Sequence, residues 1–319
     1  MDRLDFAIYR FLSPQGEARF WAGRRLIDPT IPAREIAERV GISENGVRTR
    51  LRGLTERGIL RGTSVTPNPS LFGVRVYVAG LSVDSAGQAT RLFRDLDLVD
   101  GVIFARDTLD EGDREVRVHF VSDSDATTRR RTTLLGRLSP NGQVQDPELY
   151  AIPPCERDLS PLDWRLLHAL FRHPDATIAE TAHTVGLSLK TTSRRYHELV
   201  DSRACWWTHG PNSEELPLAL VRVEVQDRAD RDPVATWILR EAPDWMPVAA
   251  DGLGQAPDSA PTLVAGLVPA DAPVVLERMV QKFVEHPGVA AVHRTFALGS
   301  KAFPAWFADR ITERVPAHR

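Results

Sequence analysis

Cysteine and long apolar runs are scarce in this chain of 319 residues, and each scarcity excludes a class of protein. The two cysteines, Cys155 and Cys205, form no CxxC motif, so neither a disulfide-stapled fold nor a zinc finger is expected. No apolar stretch reaches the roughly 18 residues of a membrane span, and residues 1–5 (MDRLD) do not begin a signal peptide. These features predict a cytoplasmic protein with no membrane partner.

Motifs of the common enzyme classes are missing as well. The sequence has no P-loop, nucleophile elbow or HExxH motif, and its nine histidines show no metal-ligand spacing. The nearest approach to a GxGxxG motif begins at Gly252 and fails at its last position, where Pro257 stands. The sequence therefore predicts a protein that is not an enzyme and that holds neither a metal nor a cofactor. The net charge of −3 also excludes a globally basic nucleic-acid binder.

An internal repeat with an offset of 145 residues divides the chain. Residues 36–43 (IAERVGIS) correspond to residues 181–188 (TAHTVGLS). Each copy follows a segment that begins with Leu-Asp and precedes a β-rich segment. Pro153-Pro154 breaks helices and predicts a linker between the halves. The chain is therefore expected to consist of two similar halves, residues 1–155 and residues 156–319.

Each half begins with the pattern of a helix-turn-helix. Gly41-Ile42-Ser43 ends one amphipathic segment and precedes the next, because glycine suits the positive φ after a helix and serine caps the helix that follows. Gly186-Leu187-Ser188 occupies the same place in the second half. A helix, a short glycine turn and a capped helix form the DNA-binding motif. Residues 58–62 (GILRG) then predict a wing made of a pair of short strands.

The β-rich segments of both halves follow the order β-α-β-β-α-β. In the first half, apolar residues alternate with polar ones over residues 74–78 and 116–120, which predicts half-buried strands. The predicted fold class is α+β, with a winged helix-turn-helix and a ferredoxin-like βαββαβ domain, the whole unit occurring twice. The expected domains are winged helix-turn-helix units at residues 1–66 and 156–215, a ferredoxin-like domain at 67–155, and a second one with a C-terminal helix at 216–319.

Several of these segments resemble the leucine-responsive/asparagine (Lrp/AsnC) family of transcription regulators. The similar segments are residues 35–43, 47–54, 58–62, the hinge at 68–73 (NPSLFG) and, in the second half, residues 262–298. The resemblance implies binding of double-stranded DNA through the helix-turn-helix and control by an amino acid or a related small molecule. It also implies pairing of effector domains, either between the two halves of one chain or between chains.

Arginine and asparagine side chains mark the first recognition helix as the element that reads DNA. Such helices enter the major groove, where Arg reads guanine and Asn reads adenine, and basic residues on the wing and before the turn reach phosphates. The predicted contacts of the first half are Arg34, Asn45, Arg48, Thr49, Arg50, Arg52 and Arg61. The alternative is a solvated helix whose arginines contact nothing, which the combination of turn, wing and repeat disfavours.

The second recognition helix is a weaker candidate for a DNA contact. Its predicted contacts are Lys190, Thr191, Ser193, Arg194 and Arg195. Residues 1–66 carry a net charge of +4, whereas residues 156–215 carry −2, and neutralisation of phosphates supplies much of the affinity for DNA. The second copy therefore either reads a second half-site or serves only the architecture.

Acidic segments after the second strand of each βαββαβ unit are the predicted effector site, which rests mainly on the family resemblance. The candidate ligand residues are Asp107, Asp110, Asp113, Asp251 and Asp258. Two other functions stay open. His119 with Arg106 and Arg117 outlines a site like that of the sirohaem decarboxylases, which share this architecture, and a ligand sensor that does not bind DNA is the third reading.

Overall fold

The computed structural model describes residues 4–5, 7–8, 33–57, 60–110, 113–150, 152, 154–211, 218–241, 246–249, 263–269 and 273–315. Its helices are α1 Ala33–Val40, α2 Glu44–Glu56, α3 Ala86–Asp95, α4 Asp125–Leu138, α5 Pro161–Arg172, α6 Ile178–Val185, α7 Leu189–Asp201, α8 Arg231–Glu241, α9 Pro273–Val284 and α10 Ala305–Arg314. Its strands are β1 Leu60–Pro67, β2 Arg75–Ser82, β3 Val102–Asp110, β4 Asp113–Ser122, β5 Glu148–Tyr150, β6 Cys205–Pro211, β7 Leu218–Val225, β8 Met246–Ala249, β9 Leu263–Pro269 and β10 Val289–Ala302.

Helices α1 and α2 form the first helix-turn-helix, as the sequence predicts. Gly41 has a φ of 76°, and the side chain of Ser43 accepts a hydrogen bond from the backbone N–H of Gly46. Ile8, Ile36 and Val47 pack together in the small core of this unit. The turn therefore follows from the Gly-x-Ser signal, and the angle between the helices follows from the shared core.

Helices α5, α6 and α7 form the second unit and have stronger caps. Capping boxes begin α5 and α6, formed by Ser160 with Asp163 and by Thr177 with Glu180. Gly186 ends α6 with a φ of 69°. The core of this unit contains apolar side chains from α5, α7 and β6, among them Leu166, Leu167, Leu170, Leu199 and Cys205.

The wing differs from the prediction. Gly58 and Ile59 lie outside the described residues, and β1 is one continuous strand that pairs antiparallel with β6 of the second unit, from Leu60 opposite Pro211 to Pro67 opposite Cys205. Each unit contributes one strand to this ribbon. The pairing links the two helix-turn-helix units directly, which a hairpin inside one unit would not do.

The hinge at residues 68–73 anchors the second unit. The backbone N–H of Asn68 donates to the carbonyl of Ala204 at 2.9 Å, and its side-chain amide donates to the carbonyl of Arg203 at 2.8 Å. The ring of Phe72 lies 5.6 Å from that of Trp164 in α5 and 5.4 Å from that of Trp306 in α10. A segment of the first half thus joins the second helix-turn-helix to the large sheet.

Eight strands form one sheet in the order β5-β2-β4-β3-β10-β7-β9-β8. The strands of each half follow the order fourth, first, third, second along the chain, which is the order of a ferredoxin-like βαββαβ unit. The α+β class and the ferredoxin-like arrangement are thereby confirmed. The halves join where β3 pairs with β10, and β10 pairs on its other side with β7.

The sequence also predicts a second strand at Val102–Ala105 and a fourth strand at Gln143–Ile152 in the first half, and both have other bounds in the structure. The predicted fourth strand, Gln143–Ile152, shrinks to the three residues of β5 and one isolated bridge between Leu81 and Val144. The predicted second strand, Val102–Ala105, continues to Asp110 because its outer part pairs with β10.

The two faces of the first half of the sheet have different neighbours. Ala105, Val116 and Val118 point toward α3 and α4 and form the main core with Leu92 and Leu135. Side chains alternate between the faces of a strand, so the residues between them lie on the opposite face. One end of that opposite face is covered by α10, whose Trp306 and Phe307 pack on Val76, Val121, Ile103 and Tyr150.

Candidate functional site

The recognition helix of the first unit, α2, presents one polar face to solvent. Asn45, Arg48, Thr49 and Arg52 are exposed, and their spacing places them on one side of the helix. The guanidinium of Arg48 bonds Glu44 at 2.6 Å. An exposed pair of this kind contributes only about 0.3–0.5 kcal/mol, so a phosphate or a guanine can replace the carboxylate.

Arg50 makes an ion pair that the sequence argument did not anticipate. Its guanidinium donates to Asp5 at 2.8 Å, and Arg57 reaches the other carboxylate oxygen at 3.3 Å. The side chain of Asp5 is only 7% exposed. Arg50 therefore neutralises a buried carboxylate and joins α2 to the preceding helical segment, and its contact with DNA stays a prediction.

The second recognition helix, α7, presents a less basic face. Lys190 and Arg194 are exposed, Ser193 is half-buried, and Arg194 bonds Glu198. Thr191 shares a hydrogen bond of 2.8 Å with Ser188, so its hydroxyl takes part in the cap of α7, and its role as a DNA contact stays a prediction.

Two further residues of α7, His197 and Leu189, are exposed to solvent, and neither is among the DNA contacts predicted from the sequence. His197 is exposed and stands at the position equivalent to Arg52. Leu189, at the start of the helix, is 56% exposed.

Arg195 repeats the arrangement of Arg50. It donates to the carboxylate of Asp163 at 2.8 Å, and Arg157 makes an ion pair with the same carboxylate at 2.8 Å. The side chain of Asp163 is 3% exposed, so Arg195 neutralises a buried acid as Arg50 does, and its contact with DNA likewise stays a prediction. The sequence carried a signal for this buried acid, because a Leu-Asp pair precedes the helix-turn-helix in both halves.

Arg34 and Arg61 lie apart from the recognition face. Arg34 begins α1 and pairs with Glu38 at 3.0 Å in solvent. Arg61 lies in β1, and its side chain is outside the described part of the structure. Neither position contradicts a contact with phosphate.

The three described acidic residues that were predicted to hold an effector lie in strands. Asp107 and Asp110 lie in β3, and Asp113 begins β4. Asp107 is buried and binds Arg114 through both oxygens, the Nε contact measuring 2.9 Å. Asp110 accepts a hydrogen bond from Thr295 of β10 at 3.3 Å. These two acids therefore serve the sheet, while Asp251 and Asp258 lie outside the described residues.

A second group of polar side chains lies on the sheet face opposite α3 and α4. Arg106 of β3 stands directly across from Arg117 of β4, and His119 of β4 stands across from Phe104. The His119 ring lies 4.9 Å from that of Tyr150 in β5. We call Arg106, Arg117, His119 and Tyr150 the sheet-face cluster. The structure thus brings together the three residues that outlined a tetrapyrrole site in the sequence.

The electrostatics of the sheet-face cluster are unusual. Burial lowers the pKa of His119 to about 3, and the positive charges of Arg106 and Arg117 act in the same direction. Burial also lowers the pKa of Arg106, with Tyr150 opposing and Arg117 adding to the effect. The imidazole is therefore neutral at neutral pH, and the cluster gains its charge from arginine alone.

No group of three or more metal-binding side chains occurs within the described residues. In that same part of the chain, no helix is long and apolar enough to cross a membrane.

The sequence matches known proteins in its helix-turn-helix segments. Residues 27–61 and 159–202 match a family model described as winged helix-turn-helix DNA-binding. The chain is 34% identical over 84 residues to the HTH-type transcriptional regulator Ptr1 of Methanocaldococcus jannaschii, which is 26% of this chain and 48% of that protein. It is 44% identical over 46 residues to the HTH-type transcriptional regulator LrpA of Pyrococcus horikoshii, which is 14% of this chain and 33% of that protein.

The chain spans half or less of the length of these curated relatives. The matches nevertheless confirm the resemblance to Lrp/AsnC-type regulators and the presence of a segment similar to a winged helix-turn-helix in each half. Among solved structures, the siroheme decarboxylase NirDL is similar at a TM-score of 0.48 and 12% identity, covering 98% of both chains. A likeness of that degree carries no conclusion about activity.

Proposed function

We propose that this chain is a transcription regulator of the Lrp/AsnC type that binds operator DNA with α2 and, more weakly, with α7. The observation that carries the proposal is the exposed face of α2, where Asn45, Arg48, Thr49 and Arg52 stand together in a segment that matches the winged helix-turn-helix model. Arginine and asparagine are the side chains that read guanine and adenine by two hydrogen bonds each.

Charge favours α2 as the principal contact. The first unit carries a net charge of +4 over residues 1–66, and the second carries −2 over residues 156–215. Since phosphate neutralisation is a large part of binding, the first unit anchors the protein and the second adds discrimination.

One chain carries two different recognition faces, so the proposed operator is asymmetric. The antiparallel pairing of β1 with β6 supports a fixed distance between the two helix-turn-helix units. Tethering makes the second DNA contact intramolecular, which raises its effective concentration when the spacing of the half-sites fits. We propose that the two halves act as the equivalent of a homodimer within one chain, an arrangement that the pairing of β3 with β10 supports.

Fluorescence anisotropy with DNA from upstream of the gene tests the proposal. Arg48→Ala is expected to weaken binding by about 1–3 kcal/mol, because a bidentate base contact is lost. Arg129→Ala is the matched control, since Arg129 is an exposed arginine on α4, away from the helix-turn-helix. Equal affinity of Arg48→Ala and the control for DNA would refute the assignment of α2.

Arg50→Ala separates a base-reading role from a structural one. The ion pair with Asp5 predicts that this variant lowers the free energy of unfolding, whereas Arg48→Ala leaves it unchanged.

Footprinting tests the asymmetry of the operator, because unequal protection of two unlike half-sites is expected. A palindrome protected equally on both arms would mean that two chains each use the first unit.

A sirohaem-decarboxylase-like enzyme is the second candidate, and the observation that favours it is the assembly of His119, Arg106 and Arg117 on one face. A neutral imidazole beside two guanidinium groups suits a carboxylated tetrapyrrole. This candidate predicts a Soret band after an iron tetrapyrrole is added to the purified protein, and no salt-dependent binding of DNA. The regulator predicts the opposite pair of results.

A further inference from the structure

Arg106 is the member of the sheet-face cluster whose charge has no acidic partner in the part of the chain that the structure describes. Its guanidinium lies 5.3 Å from the centre of the Phe104 ring, and the side chain is half-buried. Partial burial of a guanidinium without a carboxylate removes part of its hydration, which is costly. Groups of this kind are enriched at ligand sites.

Two carboxylates on the same face of β3 and β4 have partners other than Arg106, and Glu148 lies on the edge strand β5, three strands away from Arg106. Glu115 lies 3.6 Å from Arg117 and accepts a hydrogen bond from Gln145 at 2.9 Å. Asp110 accepts from Thr295. Arg106 faces Arg117 on one side and Ser300 of β10 on the other. The row of side chains across the sheet at this level therefore holds two arginines and no acid, and Glu115 of the neighbouring row lies beside Arg117.

Aromatic groups flank this charge. The rings of Phe104, His119 and Tyr150 form two edge-to-face pairs with centroids 5.4 Å and 4.9 Å apart. His119 is neutral, so its ring nitrogens offer one donor and one acceptor without adding charge. The cluster therefore combines the guanidinium of Arg106, the neutral ring nitrogens of His119 and the aromatic rings of Phe104, His119 and Tyr150.

Gly80 has no side chain, and this leaves room beside the sheet-face cluster for the side chains of Gln145 and Glu115. A Cβ built on Gly80 would come within 2.5 Å of both Gln145 and Glu115. Glycine at this position lets Glu115 lie across β2 while it stays beside Arg117. This arrangement keeps Arg117 occupied and directs an anionic ligand to Arg106.

We propose that Arg106 anchors a small organic carboxylate with a flat apolar body on this sheet face, with Phe104, His119 and Tyr150 contacting that body. The inference deepens the proposed function, because it names a site and a chemical class for ligand control. The site is distinct from the acidic β3–β4 segment predicted from the sequence, whose acids would repel an anion. Guanidinium and carboxylate match in geometry and form two parallel hydrogen bonds.

The test is calorimetry on the full chain with benzoate, phthalate and indole-3-acetate, and with benzamide as the neutral counterpart of benzoate. At least one of the carboxylates is expected to bind, and benzamide is not. Arg106→Met keeps the packing on Phe104 and removes the charge, so it is expected to weaken binding by at least about tenfold. Arg129→Met, at an exposed position of α4, is the matched control and is expected to bind like the wild type.

Thermal unfolding without ligand gives a second readout. Because Arg106 lacks an acidic partner in the described residues, Arg106→Met is expected to unfold at the same temperature as the wild type or at a higher one. A purely structural arginine predicts a lower temperature. If Arg106→Met does not fold, Arg106→Lys retains the charge without the forked donors and is expected to fold and to bind at least about tenfold more weakly.

Three results would overturn the inference. The first is that the wild type binds none of the carboxylates. The second is that Arg106→Met or Arg106→Lys binds a carboxylate as tightly as the wild type does. The third is a Soret band with an iron tetrapyrrole in a protein that binds none of the small carboxylates. No DNA is present in these experiments, so their failure leaves the proposed DNA binding untouched, and failure of DNA binding leaves the ligand site standing.

Discussion

Replacing Asp163 by asparagine tests how strongly a buried carboxylate holds the second helix-turn-helix together. One oxygen of Asp163 bonds Arg195 at 2.8 Å, and the other accepts from the hydroxyl of Ser160 at 2.7 Å and lies 2.8 Å from Arg157. The variant removes the negative charge and leaves two arginines facing a neutral amide.

The magnitude follows from the burial of this acid. Removing one partner of a buried ion pair costs about 3–5 kcal/mol, because the remaining charges are left uncompensated. Asparagine keeps one oxygen that can accept from Ser160, so the lower value, about 3 kcal/mol, is expected. Asp158→Asn makes the same chemical change at an exposed neighbour and is expected to alter the free energy of unfolding by less than about 0.5 kcal/mol.

Urea unfolding combined with amide hydrogen exchange in α5, α6 and α7 measures the effect. Faster exchange in these helices than in α3 and α4 is expected, because the loss is local to the second unit. An unchanged free energy of unfolding in Asp163→Asn, or a loss equal to that of Asp158→Asn, would refute the argument.

Acid titration provides an independent check on the same carboxylate. Burial alone raises the pKa of Asp163, but the hydrogen bonds from Ser160 and Arg195 and the charge of Arg157 outweigh it, so the pKa lies below its ordinary 3.8. A depressed pKa stabilises the fold above the unfolded value, and the gain is lost as the pH falls through the folded value. The difference between wild type and Asp163→Asn is therefore expected to be constant above about pH 5 and to shrink below pH 3.8.

Two further predictions concern the backbone and the thiols. Gly101 has a φ of 84°, and a Cβ there would come within 2.5 Å of the Arg131 guanidinium, so Gly101→Ala is expected to cost about 1–3 kcal/mol in urea unfolding. Gly87→Ala, at an exposed position of helix α3, serves as the control and should not destabilise the protein. Burial raises the pKa of the Cys205 thiol, so native-state alkylation followed by peptide mass analysis is expected to label half-buried Cys155 well before Cys205. Equal labelling of both thiols in the folded protein would contradict the burial of Cys205.

Local signals account for the parts of the fold that the sequence predicted. The Gly-x-Ser turns at residues 41–43 and 186–188 set a positive φ and a helix cap within three residues, and each acts without the rest of the chain. The order of strands in each half follows from alternating apolar positions separated by amphipathic helices. The sequence predicts such features because the residues that determine them lie close together along the chain.

Long-range pairing accounts for what the sequence did not reveal. Arg50 lies on the recognition helix, and its partner Asp5 is 45 residues away, so spacing alone could not distinguish a base-reading arginine from a neutralising one. The same holds for the acids of β3, whose partners are Arg114 and the distant Thr295. The candidate ligand site on the sheet face likewise depends on register across β3, β4 and β5.

The position of β10 in the sheet has a consequence for how the chain is made. One side of β3 is covered only by β10, which leaves the ribosome about 190 residues later. At synthesis rates of about 5–20 residues per second, that edge stays open for about 10–40 s. An open edge is a template for pairing with another chain, and charged side chains discourage it. Arg106, Asp107 and Asp110 lie along β3 itself, so the nascent first half carries its own protection until its last partner strand arrives.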